Sequence, residues 1–175
     1  MYKLFLWLLK LGTLINLYFF WGTLFSPLKF VDFHILIPAQ IFFLVSAFRC
    51  LFPVNYVSFA VFHDSVFSSI FLTRLFATFS EVAYIYQFSY LLRLFNSAQI
   101  PLIEILSCLM VVQVVVSQCL VWCAILTDRQ KLYFYEELGW AIIFVLNTIA
   151  SVILFLTLNN QPQYELLIKF NLLFG

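Results

Sequence analysis

Two charged residues interrupt a stretch that otherwise reads as membrane helix: Arg74 and Glu81, within FSSIFLTRLFATFSEVAYIYQ, residues 67–87. An arginine or acidic residue at the centre of a membrane helix costs about 2.5–3.5 kcal/mol on the insertion scale. Such groups therefore face the inside of a bundle, and by default they mark a functional site. The two are seven residues apart, almost two turns, so they share a helix face with Thr78 between them. The rise from one to the other is about 10.5 Å, which predicts no easy direct salt bridge. Each is expected to find a partner on another helix, or through a chain of water and hydroxyls. Arg74 is expected to meet Asp64, Glu136 or Glu137, and Glu81 to be held neutral or paired.

The chemistry these residue types support is recognition of a lipid-like molecule at one membrane face. Arg49 and Arg74 would hold an anionic or polar head group. Glu81, Glu136, Glu137 or Asp64 would act as general acid or base. Thr78 and Trp140 complete the candidate ligand-binding set, and the many Phe side chains would line a slot for the tail. A metal alternative groups His63, Asp64 and Glu81. With two His in the chain, the many-His sites of membrane desaturases and hydroxylases are excluded, and axial ligation of two haems by paired His finds too few ligands. No nucleotide-binding loop and no GxSxG motif is present, and the sequence names no cofactor.

YEELGW, residues 135–140, adds two carboxylates where a fifth helix is expected to begin. A helix N-terminus favours anions, so capping is one role for Glu136 or Glu137. Gly139 would let another helix approach closely, and Trp140 would serve as an interfacial anchor. On the fourth helix Gln113 with Ser117, and Gln118 with Trp122, are spaced i,i+4 and read as polar glue between helices. Arg93 and Glu104 read as boundary charges. The four Cys, at 50, 108, 119 and 123, read as small apolar side chains in lipid.

The elements that must position these groups follow from composition. The 175 residues are 65% hydrophobic and 10% charged, against about 25% charged in soluble domains. The class is an all-α polytopic membrane bundle, with the lipid bilayer as its first partner. A net charge of +1 gives no sign of a nucleic-acid partner. Runs of about 20 apolar residues predict five spans, at 4–25, 35–52, 66–94, 101–126 and 138–158, in a single domain. The tail 163–175 is expected to form a short interfacial helix carrying the Glu165–Lys169 pair. Pro38 is placed in the first turn of the second helix, and Asp64 or Ser65 at the N-cap of the third. The first apolar run is expected to stay as an anchor.

Parity then puts the end of helix 2, the start of helix 3, the end of helix 4 and the start of helix 5 on one side. Arg49, His63, Asp64, Glu136 and Glu137 share that side. Basic residues predict, by a small excess, a cytoplasmic N-terminus. Three functional readings follow. One is a charged intramembrane site that binds or modifies a lipid-like substrate. Another is an accessory subunit whose charges meet other membrane subunits. The third is a proton or ion pathway. The identity of the membrane and the oligomeric state are not encoded in any motif.

Overall fold

A computed structural model of the chain describes residues 2–25, 32–55, 60–61 and 65–157. The order of elements is α1 (Tyr2–Leu24), α2 (Phe33–Leu51), β1 (Val54–Asn55), β2 (Ala60–Val61), a 3-10 turn (Val66–Ser68), α3 (Ile70–Phe95), α4 (Pro101–Thr127) and α5 (Lys131–Thr157). The fold is helical, apart from the antiparallel pairing of the two-residue strands, with Val54 opposite Val61 and Asn55 opposite Ala60. Among the described residues four helices are long and apolar enough to cross a membrane: Leu4–Leu24, Phe33–Leu51, Pro101–Thr127 and Lys131–Thr157. Helix α3 is as long as α4 and α5 to within one residue. Composition separates it, because Arg74, Glu81, Gln87 and Arg93 dilute its apolar residues. The expected tail helix at 163–175 lies outside the described residues.

The chain divides into two compact units, Met1–Tyr84 and Ile85–Gly175. In the first, α1 and α2 pack antiparallel. Phe19 stacks on Phe43 with ring centroids 5.4 Å apart, and a Cβ built on Gly12 would lie 3.3 Å from Cys50 Sγ. Each helix steps seven residues between these contacts, in opposite directions. The outer surface of α1 is apolar and exposed, with Trp7 and Tyr18 about 70% accessible, as expected of a helix that meets lipid on most of its circumference. Aromatic pairs link α2 to α3, Phe42 with Tyr84 and Phe48 with Phe76, and Phe52, just past α2, meets Phe67 of the 3-10 turn. Edge-to-face and offset contacts of this kind each add about 0.5–1.5 kcal/mol beyond area burial.

Local chemistry explains the helix ends. Asp32 caps α2, its carboxylate accepting from the His34 amide. The start falls two residues earlier than expected, so Pro38 is the sixth helical residue and removes one rung of the ladder. Ser65 stands before the 3-10 turn and bonds Ser68 by its hydroxyl. The α3 helix itself starts at Ile70, where the Ser69 carbonyl accepts the Thr73 amide and its Oγ takes the Leu72 amide. Ser69, not Ser65, therefore performs the capping expected of Ser65; Asp64 lies outside the described residues.

In the second unit, the buried α4 residues Ile103, Ser107, Met110, Val114, Ser117, Val121 and Ala124 alternate steps of four and three. That is the heptad seam of helices packed at a shallow angle. It meets a seam on α5 that contains Glu136, Gly139, Ile143, Asn147, Ala150 and Leu154. Only Asp128, Arg129 and Gln130 connect the two helices, with Asp128 in the left-handed region at φ 53°.

The α3–α4 connection is tied by Asn96. Its Oδ1 accepts the Ile100 amide at 2.9 Å and its Nδ2 donates to the Ile100 carbonyl at 3.0 Å. Replacing it by alanine removes both bonds that hold the backbone of Ile100, the residue before Pro101. Asn96→Ala is expected to cost about 1–3 kcal/mol, the range for buried backbone groups that lose their partner, read as a lower midpoint of denaturant unfolding in detergent.

A charged triad in the first unit

The sequence places Arg74 and Glu81 on one face of a helix, and α3 delivers both to the side that packs on α2. Arg74 is buried, its side chain 1% exposed, and that of Glu81 is 18% exposed. They bond directly. Arg74 Nη1 donates to Glu81 Oε1 at 3.4 Å and Nη2 donates to Oε2 at 3.3 Å. This corrects the expectation that the rise along the helix is too great for a direct pair. The rise is between Cα atoms. Glutamate leans toward the helix N-terminus, as helical side chains do. Arginine carries its guanidinium on a four-bond stem and can lie along the groove toward it. The planar fork then meets both carboxylate oxygens. Its distances exceed the roughly 2.7–2.9 Å of the tightest such pairs, so the fork is stretched over its span.

Arg49, in the last turn of α2, supplies a third charge. Its Nη1 is 4.0 Å from Glu81 Oε1, and its side chain is 44% exposed. One carboxylate thus lies between two guanidiniums, and the triad carries one unit of positive charge. Phe48–Phe76 and Phe42–Tyr84 pack on either side of it along the α2–α3 contact. Phe48 precedes Arg49 and pairs with Phe76, two residues after Arg74. The two arginines therefore start at about the same level, and both reach along α3 toward Glu81. Thr78, between the charges, turns its hydroxyl back to the Arg74 carbonyl at 3.0 Å.

The remaining candidates fall elsewhere. His63 and Asp64 lie outside the described residues. Among the described residues no three His, Cys, Asp or Glu are grouped as for a metal ion. Glu136, Glu137 and Trp140 belong to the second unit. Because α5 begins at Lys131, the two glutamates are its sixth and seventh residues, not its first turn. The dipole effect falls off within the first turn, so the expected capping role is corrected. The physical reason is that an apolar window marks where a helix enters hydrocarbon, whereas the helix itself continues through KLYFYEE, which has no breaker. Glu136 is 4% exposed and Glu137 faces outward. Trp140 is half-buried, with its ring 6.0 Å from that of Phe144.

The close approach expected at Gly139 is present. A Cβ there would fall onto Ser117 Oγ and lie 2.9 Å from Gln113 Nε2. Ser117 and Gln118 are buried in the α4 seam. Arg93, expected as a plain boundary charge, folds back on its own helix and donates to the Ser89 carbonyl and hydroxyl. Ser107, Asn147 and Ser151, none of them singled out by type or spacing, are all at most 1% exposed. Asn147 and Ser151 are one turn apart and in phase with Ile143, Ala150 and Leu154. Helical phase relative to these apolar neighbours was the signal that marked them as seam residues.

No known protein family, curated protein or solved structure matches this chain.

Proposed function

We propose that the chain is a polytopic membrane protein that binds the anionic head of a lipid-like molecule at Arg49, within a triad open to one membrane face. The observation that carries this reading is the asymmetry of the two arginines. Arg74 is buried and holds both oxygens of Glu81, whereas Arg49 stands 4.0 Å away with 44% of its side chain exposed. A guanidinium has five N–H donors. Among the described residues Glu81 is the one acid within ion-pair range of Arg49, so most of its donors remain available to a ligand.

Binding fits better than modification. A carboxylate whose two oxygens both accept from one guanidinium is poorly placed to exchange protons with a substrate. The inward orientation of Arg74 and Glu81 also speaks against an assembly contact, which would set at least one of them on the outer surface. Against an ion pathway stand the fully buried Val114 and Ile143 in the α4–α5 seam, apolar side chains within a stripe that would have to carry the charge.

In this reading α3 is the fifth span. Its 26 residues reach about 39 Å at 1.5 Å each, more than the hydrocarbon thickness of about 30 Å. Its costliest groups neutralise one another within a single helix. Lys10, on α1, lies two residues from the Gly12 contact with Cys50, and so at the level of Arg49. Basic residues at one level agree with a cytoplasmic N-terminus.

Native mass spectrometry of the protein extracted in mild detergent tests the reading. The wild type is expected to retain an anionic lipid, and Arg49→Gln to lose it with the fold intact. Retention of other proteins at fixed stoichiometry, released by Arg49→Gln, would instead make Arg49 an assembly contact.

A further inference from the structure

The outer face of α4, in the second unit, carries a groove that the α4–α5 seam does not use. Glu104, Ile105, Cys108, Leu109 and Val112 line it, and it holds about 300 Å³, the lower end of the range for ligand sites. Their spacing sets them in two neighbouring rows, Glu104–Cys108–Val112 and Ile105–Leu109, with the small Cys108 between two larger side chains. From Glu104 to Val112 the helix rises about 12 Å, most of one leaflet of a hydrocarbon core about 30 Å thick. We propose that the groove holds one acyl chain of a phospholipid with a primary ammonium head group, as in phosphatidylethanolamine, and that the ammonium bonds the Glu104 carboxylate.

The charge at one end of the groove selects the ligand. Glu104 stands in the first turn of α4, where the helix dipole stabilises a negative charge but supplies no counter-ion. Its Oε1 accepts from Asn96 Nδ2 at 3.5 Å, and that same nitrogen donates to the Ile100 carbonyl at 3.0 Å. The longer contact is beyond the usual 2.7–3.2 Å of N–H···O bonds. Among the described residues no cation lies within ion-pair range of Glu104. Below it Ile105, Cys108, Leu109 and Val112 are exposed and apolar. A molecule that suits both ends has a cation on an apolar tail. A primary ammonium offers three N–H donors, which meet a carboxylate in charge-assisted hydrogen bonds. A trimethylammonium offers none and is held by aromatic faces, and the described lining has no aromatic ring. The site shares no residue with the Arg49 triad and does not depend on it.

Cys108 reports on occupancy, because it lines the groove one turn from Glu104, and Cys119 and Cys123 are exposed on the same helix as references. The full chain in neutral detergent is titrated with phosphatidylethanolamine or with phosphatidylcholine of the same acyl chains. Alkylation of each cysteine by N-ethylmaleimide is then followed by peptide mass spectrometry at neutral pH. Phosphatidylethanolamine is expected to half-protect Cys108 at about a tenth of the phosphatidylcholine concentration, the order for a hydrogen bond to a charged group, with Cys119 and Cys123 unprotected. Glu104→Gln is expected to bring the two lipids to the same concentration. The wild-type ratio decides by itself should that variant not fold. Equal protection of wild-type Cys108 by both lipids, or protection of all three cysteines alike, overturns the proposal. Cys108 shielded without added lipid and freed by Lys169→Glu would make the chain's own segment 158–175 the occupant, and shielding lost on dilution would make it a second copy. Either result overturns the lipid.

Discussion

Arg74→Ala is expected to destabilise the protein by about 3–5 kcal/mol, the range for removing one partner of a buried ion pair. The cost is not the worth of the pair itself. It is the cost of taking the bidentate guanidinium away from Glu81, 18% exposed, while Arg49 stays at 4.0 Å. That residual partner places the expectation toward the lower end. Replacing both members, as in Arg74→Met with Glu81→Leu, removes the stranded charge. The double variant is therefore expected to recover most of the loss, since well-packed apolar substitutes for buried ion pairs are often neutral or stabilising. Denaturant or thermal unfolding in detergent, run on both variants, separates the two effects. A single variant as stable as the wild type would mean that Glu81 is satisfied without Arg74.

Gly139→Ala carries the second large effect. The added methyl group would fall onto Ser117 Oγ and press on Gln113 Nε2, and neither neighbour sits at the free end of an exposed chain. Ser117 is 0% exposed, so the helices must separate or the seam must repack. Overpacking of this kind costs about 1–3 kcal/mol, and Gly139→Leu should cost more. Adding Ser117→Ala to Gly139→Ala removes the clashing oxygen and should restore at least half of the loss. A cycle of the four proteins, followed by unfolding in detergent, checks this. If Ser117→Ala restores nothing, the clash is with backbone or with Gln113 alone.

Much of this architecture is legible in the sequence because lipid imposes a coarse rule. About 20 apolar residues make a span, and among the described residues four such helices are present. What the rule blurs is the helix end. KLYFYEE reads as polar loop by hydropathy, yet with no proline or glycine before Gly139 it continues the helix, which moves Glu136 and Glu137 out of the first turn. The pairing of Arg74 with Glu81 escapes the spacing rule for a different reason. Sequence spacing measures Cα separation, whereas a long flexible side chain meeting one that leans back closes a gap of nearly two turns. The third member of the triad was visible as a residue type but not as a partner. Nothing in FRCLF tells that Arg49 approaches a carboxylate on α3; that follows from the aromatic pairs that set the register of α2 against α3.

The central claim is that Arg49, and not Arg74, meets the ligand. The most direct measurement is side-chain NMR of the protein labelled with 15N-arginine in detergent. The chain has four arginines, at 49, 74, 93 and 129, so single Arg→Lys variants assign the four Nε–Hε signals. On titration with phosphatidylglycerol the Arg49 signal should shift first and furthest, with the signals of Arg93 and Arg129 unmoved and that of Arg74 following only slightly through Glu81. A leading shift at Arg74, or no arginine shift at saturating lipid, would contradict the account.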